Sequence, residues 1–252
     1  MRVFSVPVTA ALFDFDGTLS TLRRGWETVM EPLMTELLGE DSRDTVRAYI
    51  GESAGLQTIR QMQWLAGQVR RRRGEARDPW EYKAEYNRRL METVSRRRAA
   101  LAVGTAERGD YLIAGAEALL QALSDRGIAL YVASGTDDAD VRAEAEALGL
   151  AGYFQTIAGA PPGAEDCPKE RVIRELLRGA SAGDRLAVVG DGRVEIAAGR
   201  ENGARTLGVA SDEEARRGIN PVKEKRLVKA GADRITGDYL ALDSLLRFFT
   251  GE

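Results

Sequence analysis

The segment Ala10-Ala11-Leu12-Phe13-Asp14-Phe15-Asp16-Gly17-Thr18-Leu19 constrains this chain most. It is an apolar run ending in two carboxylates one residue apart, followed by glycine. A short apolar run closed by a turn signal reads as a buried strand, with Gly17 supplying the turn and Asp14 and Asp16 at the carboxyl end. Such strand ends are where open α/β sheets keep their active sites. Two acids this close are costly unless a cation neutralises them, and magnesium, which favours hard oxygen ligands, is the natural candidate. The competing reading is a pair of solvated acids at a strand end. That is common for one aspartate and poorly suited to Asp-x-Asp-Gly-Thr after a hydrophobic strand.

With 252 residues the chain can bury a sizeable core, as one large domain or two smaller ones. A net charge of −3 gives no reason to expect nucleic acid as a partner. The single cysteine, Cys167, excludes an intrachain disulfide and suits a reducing cytosol, so a cytoplasmic location is expected. No apolar run approaches the length of a membrane span, and the apolar stretch near the start lacks the basic cluster and cleavage site of a signal peptide. Most restrictive chemically is the count of 0 histidines. It rules out a Ser-His-Asp triad, a phosphohistidine and histidine-ligated zinc or haem, which leaves acid–base work to carboxylates, lysine or tyrosine.

Residues 20–109 read as a helical insert. Trp26, Val29, Met30, Leu33 and Leu37 recur at helical spacing, as do Ile59, Met62 and Leu65, then Tyr82, Tyr86 and Leu90. Asp78-Pro79-Trp80-Glu81 is a start signal for the last of these, with Asp78 as N-cap and Pro79 at the first helical position. This insert is the basic part of the chain, its lysines and arginines outnumbering its acids. From about residue 110 strands and helices alternate. A helix over 116–124 precedes a strand at 128–133 that delivers Ser134-Gly135-Thr136 at its end. A helix at about 138–148, a short apolar piece near 154–157 and a helix opened by Pro168 and Lys169 follow. The strand Leu186–Val189 then runs into Gly190-Asp191-Gly192, and Glu195 lies in the first turn of the next helix. Strands at 206–209 and 233–235 and a helix at about 239–249 complete the chain. This alternation predicts a parallel sheet covered on both faces.

Asp14 and Asp16, Ser134, and Asp191 thus stand at three strand ends, with Lys169 at a helix start between the second and third. In a doubly wound sheet such distant positions converge on one crevice. At this point the chain resembles the haloacid dehalogenase-like hydrolase superfamily, in the branch that includes phosphoglycolate phosphatase-like and β-phosphoglucomutase-like enzymes. The resemblance rests on Asp14-Phe15-Asp16-Gly17-Thr18, Ser134, Lys169 and Gly190-Asp191-Gly192-Arg193-Val194-Glu195, and it spans the whole chain. It implies an α/β fold, a doubly wound, Rossmann-like parallel-sheet core over 1–19 and 110–252, with 20–109 as an inserted α-helical cap.

Carried over position by position, the resemblance implies that Asp14 attacks phosphorus and becomes a transient aspartyl phosphate, a case of covalent catalysis by a carboxylate. Asp16 would act first as general acid and then as general base. Ser134, Gly135 and Thr136 would hold the phosphoryl oxygens, and Lys169 would offset the charge of Asp14 and substrate. Asp14, Asp191 and the backbone carbonyl of Asp16 would bind Mg2+. Glu195 stands where the family commonly has aspartate, and its longer side chain points to a water-mediated or lysine-directed part in the metal site. Thr21 stands where many capped relatives carry an aspartate.

The implied activity is a magnesium-dependent phosphatase acting on a small phosphorylated metabolite. Its alternatives are a sugar-phosphate mutase, disfavoured because those enzymes use a cap histidine, and a non-catalytic metabolite-binding protein. Dehalogenation is disfavoured by Asp16, because a carbon–halogen bond needs no acid for its leaving group. A phosphonatase would lack an acid at position 16 and need a cap lysine, for which Lys83 is the one residue in the insert. In the cap, Gly51-Glu52-Ser53-Ala54-Gly55, Gln57 and Arg60 resemble the substrate-facing loop of helical caps; a polar helix-start loop is the alternative. Arg23 and Arg24 read as anion contacts or solvated surface, and Arg70 to Arg73 as a solvated helix end, with polyanion binding the alternative. Cys167 reads as a packed or partly exposed thiol.

Overall fold

The computed structural model describes residues 2, 4–163, 168–179 and 185–251, so Cys167 lies outside the described residues. Six parallel strands form one sheet: β1 (Ala10–Phe13), β2 (Ala129–Asp137), β3 (Thr156–Ala160), β4 (Leu186–Gly190), β5 (Arg205–Val209) and β6 (Arg234–Thr236). Their spatial order is β3-β2-β1-β4-β5-β6. The direction of winding therefore reverses at β1, where doubly wound sheets open a crevice beyond the strand carboxyl ends. Register fixes what lies there, because Phe13 is paired with Val132 on one side and Val189 on the other. The residues following all three strands are thereby drawn to one place.

Alternation of side chains along the buried strands supplies both faces of the core. Ala11 and Phe13 face α5 (Ala116–Ser124), α6 (Asp138–Ala147) and α10 (Leu242–Thr250), in a cluster with Leu119, Val141 and Leu245. Ala10 and Leu12 face the opposite way, toward α7 (Pro168–Gly179) and α8 (Arg193–Glu201), in a cluster with Ile173 and Ala198. Leu227 of α9 (Pro221–Lys229) packs against Ile196 and Ala210 beyond them.

Between β1 and α5 run four α-helices: α1 (Glu27–Leu38), α2 (Arg43–Ser53), α3 (Thr58–Arg73) and α4 (Pro79–Ala102). They enclose an apolar cluster of their own, in which Met34, Val46, Met62, Leu65 and Val94 are fully buried. Asp78 caps α4 as the sequence predicts, accepting a hydrogen bond from the Trp80 amide at 2.8 Å.

The structure corrects the sequence reading in five places. Helix α2 was not anticipated, because its apolar stripe is reduced to Val46 and Ile50 with Ser53 filling the third buried position. Its last turn takes in Gly51 to Ser53, which the sequence places in a loop. Helix α9 was also missed: only Leu227 is buried in it, although Asn220 accepts from the Val222 and Lys223 amides and Pro221 opens it. Strand β3 lies two residues later than expected, and Phe154 instead packs edge-on against Phe13, with ring centroids 6.4 Å apart. Helix α10 begins at Leu242. Tyr239 precedes it, its amide bonded to the Ala114 carbonyl and its hydroxyl donating to the Thr18 carbonyl at 2.9 Å. Strand β2 runs through Ser134-Gly135-Thr136 to Asp137, with an irregularity in its pairing to β3 between Ala133 and Asp137. Among the described residues no helix is long and apolar enough to cross a membrane.

Candidate active site

A pocket of about 310 Å3 opens at the reversal point of the sheet and is lined by Asp14, Asp16, Ser134, Gly135, Thr136, Lys169 and Asp191. Asp14 directly follows β1 and is held there by its amide, which donates to the Val189 carbonyl at 2.8 Å. One carboxylate oxygen, Oδ1, accepts from the Phe15 amide at 2.8 Å and the other accepts from Lys169 Nζ at 2.8 Å. Burial pushes the Asp14 carboxyl well above the usual carboxylate range, while Lys169 pulls in the opposite direction. Burial likewise works against the Lys169 charge, but Asp14 and Glu195 beside it raise the ammonium above its ordinary value.

Glu195 sits behind this pair. Its Oε2 accepts from Lys169 at 2.9 Å and its Oε1 from the Gly192 amide at 2.6 Å. A Cβ on Gly190 would lie 2.3 Å from Glu195 Oε1, so the glycine before Asp191 is needed for this carboxylate to fold back over the turn. The geometry is that of a group that fixes Lys169.

Asp16 turns into the same pocket. Its Oδ2 accepts from the Thr136 hydroxyl at 2.8 Å, whereas its buried Oδ1 has no hydrogen-bond partner and lies 4.0 Å from Arg23 Nε. Burial raises its carboxyl above the ordinary value, with Arg23 and Thr136 opposing the shift. A raised carboxyl holds a proton for delivery to a leaving group. Gly17 follows with φ +70°, and a Cβ there would fall 2.4 Å from Asp191 Oδ2. Both the turn and the approach of the two strand ends require glycine. Ser134 is buried and its Oγ accepts from the Thr136 amide at 3.1 Å.

Oxygens of Asp14, Asp191 and Glu195 come within 4.8 Å of one another. An all-oxygen donor set of this kind fits a hard divalent cation such as magnesium.

The pocket also contains groups that the sequence reading passed over. Lys223, in the first turn of α9, donates to Asp191 Oδ2 at 2.8 Å and to Glu213 Oε1 at 2.5 Å. Arg226, one turn on, donates to the Asp191 carbonyl at 3.1 Å. The signal for both was the Asn220-Pro221 helix start. Arg23 lines the pocket but is not a solvated cation, since its side chain is 11% exposed and pairs with Glu144 at 2.6 Å and Asp140 at 3.2 Å. It ties the start of the insert to α6. Arg24 pairs with Glu214, and Thr21 is buried. Arg60, expected to bind substrate, is exposed on α3, donates to Gln63 at 3.1 Å and does not line the pocket. Its neighbour Gln61 does, because one residue along a helix turns the side chain by about 100°. The insert closes over the site at its turn after α2, where a Cβ on Gly55 would lie 3.0 Å from Gly192 Cα and one on Gly135 3.7 Å from Gln57 Cα.

A family model described as haloacid dehalogenase-like hydrolase matches residues 8–203. No curated protein matches the chain. Among solved structures, a phosphonoacetaldehyde hydrolase-like protein from Oleispira antarctica is 18% identical with a TM-score of 0.67, covering 100% of this chain and 98% of its own. A protein from Haemophilus somnus 129PT, described as a predicted phosphoglycolate phosphatase, is 16% identical with a TM-score of 0.65, covering 94% and 97%. A β-phosphoglucomutase from Clostridium difficile is 15% identical with a TM-score of 0.61, covering 96% and 97%. At these identities the likeness is one of fold.

Proposed function

This chain belongs to the haloacid dehalogenase-like hydrolase family, and from that premise we propose that it is a magnesium-dependent phosphatase that hydrolyses a small phosphorylated metabolite through an aspartyl phosphate on Asp14. The observation that carries the reading is the buried triad of Asp14, Lys169 and Glu195 at the reversal point of the sheet, facing an acid with a free oxygen, Asp16 Oδ1. A pocket of about 310 Å3 suits a small substrate.

Asp14 attacks phosphorus as the bond to the substrate oxygen breaks, and Asp16 donates its proton to that oxygen. Asp16, now a carboxylate, takes a proton from water; the water oxygen bonds to phosphorus, the Asp14–phosphorus bond breaks, and phosphate leaves. Lys169 favours the ionised form of Asp14 and offsets the charge brought by the phosphoryl group, while Glu195 holds Lys169 in place. The Ser134 hydroxyl and the amides that follow it orient the phosphoryl oxygens. Asp14, Asp191 and the Asp16 carbonyl would hold magnesium, which when bound withdraws charge from the phosphoryl oxygens. Residues 20–109 act as the cap that excludes bulk water. A phosphonatase-type role for the cap lysine is not supported, because Lys83 is buried against Asp137 and does not line the pocket.

A screen of phosphate monoesters with magnesium tests the reading. Turnover is expected to cease on chelation and to fall by at least about 10³-fold in Asp14→Asn. Undiminished turnover in that variant overturns it.

A further inference from the structure

Beside the reaction pocket lies a larger cleft of about 1060 Å3, bounded by the turn after α2 and by α7, α8 and α9. The two cavities share Gly51, Leu56, Val222 and Arg226 as walls, so they lie side by side. The cleft is rich in cations: Arg174 from α7, Arg193 from α8, and Lys225, Arg226 and Lys229 from α9, against the acids Glu52, Glu170 and Glu201.

Four of these cations have exposed side chains. Among the described residues Arg174, Arg193, Lys225 and Lys229 make no hydrogen bond or ion pair. Arg193 also occupies the first position of α8. A helix start carries partial positive charge, so a cation there weakens the helix unless an anion offsets it. Arg226 gives an independent indication at the junction of the cavities. One of its nitrogens is used on the Asp191 carbonyl, but its Nε is buried with no hydrogen-bond partner. A buried donor of this kind wants an acceptor.

We propose that the cleft is an anion subsite, in which Arg226 at the threshold and Arg193 and Lys225 beyond it seat a second anionic group of the substrate, a phosphate or carboxylate remote from the phosphoryl group that Asp14 takes. The inference rests on the reading of Asp14 as the site of phosphoryl transfer. Substrates with an anion at each end are then preferred over esters whose far end is neutral.

Calorimetric binding to Asp14→Asn in the presence of magnesium reads the subsite without turnover. The probes are linear alkanediol monophosphates, the matching bisphosphates and the matching ω-phosphooxy carboxylates, from butanediol to decanediol. Beyond the chain length that spans the two cavities, an anionic end is expected to tighten binding at least about tenfold, with the gain shrinking in high salt. Bisphosphate and carboxylate arms distinguish the two kinds of anion. Adding Arg193→Ala and Lys225→Ala together brings the ratio of anionic to neutral affinity to about one, whereas Arg70→Ala with Arg71→Ala, on the far end of α3, preserves it. Equal affinity for both ends at every length overturns the subsite, as does a preference that survives the Arg193 and Lys225 changes. Wild-type protein that releases no phosphate from any of these esters overturns the phosphatase reading instead, and calorimetry still decides the subsite.

Discussion

Lys169 in the core is 4% exposed and touches two buried carboxylates, whereas Arg88 in the insert pairs with Glu85 and Glu92 while its side chain stays 61% exposed. The same contrast runs through both regions. Around the strand ends Asp14, Lys169 and Glu195, and Glu144 on α6, are out of water and held by specific partners. In the insert the ion pairs lie mostly on the helix exteriors, and the interior is apolar apart from a few polar groups and Lys83. Charge taken from water is costly and survives only where partners compensate it, so its concentration at one end of the sheet singles out the candidate site. Exposed pairs cost little and contribute little.

The comparison can be broken at either end. Lys169→Met leaves Asp14 and Glu195 buried without their cation, and should cost about 3–5 kcal/mol in denaturant unfolding together with the activity, since nothing then offsets the burial that favours the protonated form of Asp14. Met62→Ala opens a cavity in the apolar centre of the insert and should cost about 2–5 kcal/mol in the same measurement, as an uncharged position can rival a charged one only where packing is dense.

Arg23→Ala tests the ionic joint between the regions. Burial pushes the Glu144 carboxyl up to about 7 even beside Arg23. A carboxyl raised above its unfolded value binds its proton more tightly in the folded protein, so stability falls as pH rises from the unfolded value toward the folded one. Removing the guanidinium raises Glu144 further. The loss in Arg23→Ala is therefore expected to be greater at about pH 8 than at about pH 5, growing by about 1.4 kcal/mol for each unit by which the carboxyl rises. Urea unfolding at the two pH values checks this, and a loss independent of pH would place the effect in packing. The smallest effect belongs to Arg88→Ala, whose melting temperature should stay within about two degrees of the parent and whose kcat/KM should not change.

Much of the site was legible because each strand end announces itself locally. Asp14, Asp16, Ser134 and Asp191 all follow short apolar runs, and a parallel sheet delivers such residues to one edge. Lys169 was legible from its position before a helix. Lys223 and Arg226 were not, because α9 buries only Leu227 and offers no apolar period from which to read it. Arg60 was misassigned for a related reason: a helical residue's identity says nothing of which face meets the pocket, and Gln61 holds that face.

From sequence alone came the alternation of strands and helices, the acid pair beyond β1, and the exclusion of histidine chemistry, since strand burial, turn formation and side-chain inventory are local properties. The strand order that sets Asp14 beside Asp191, the burial that raises both acids of the first motif, and the placing of Arg226 between two neighbouring cavities were decided by tertiary structure. Those features depend on which segments pack together and how much water they exclude, and contacts between residues far apart in the chain leave no periodic trace in it.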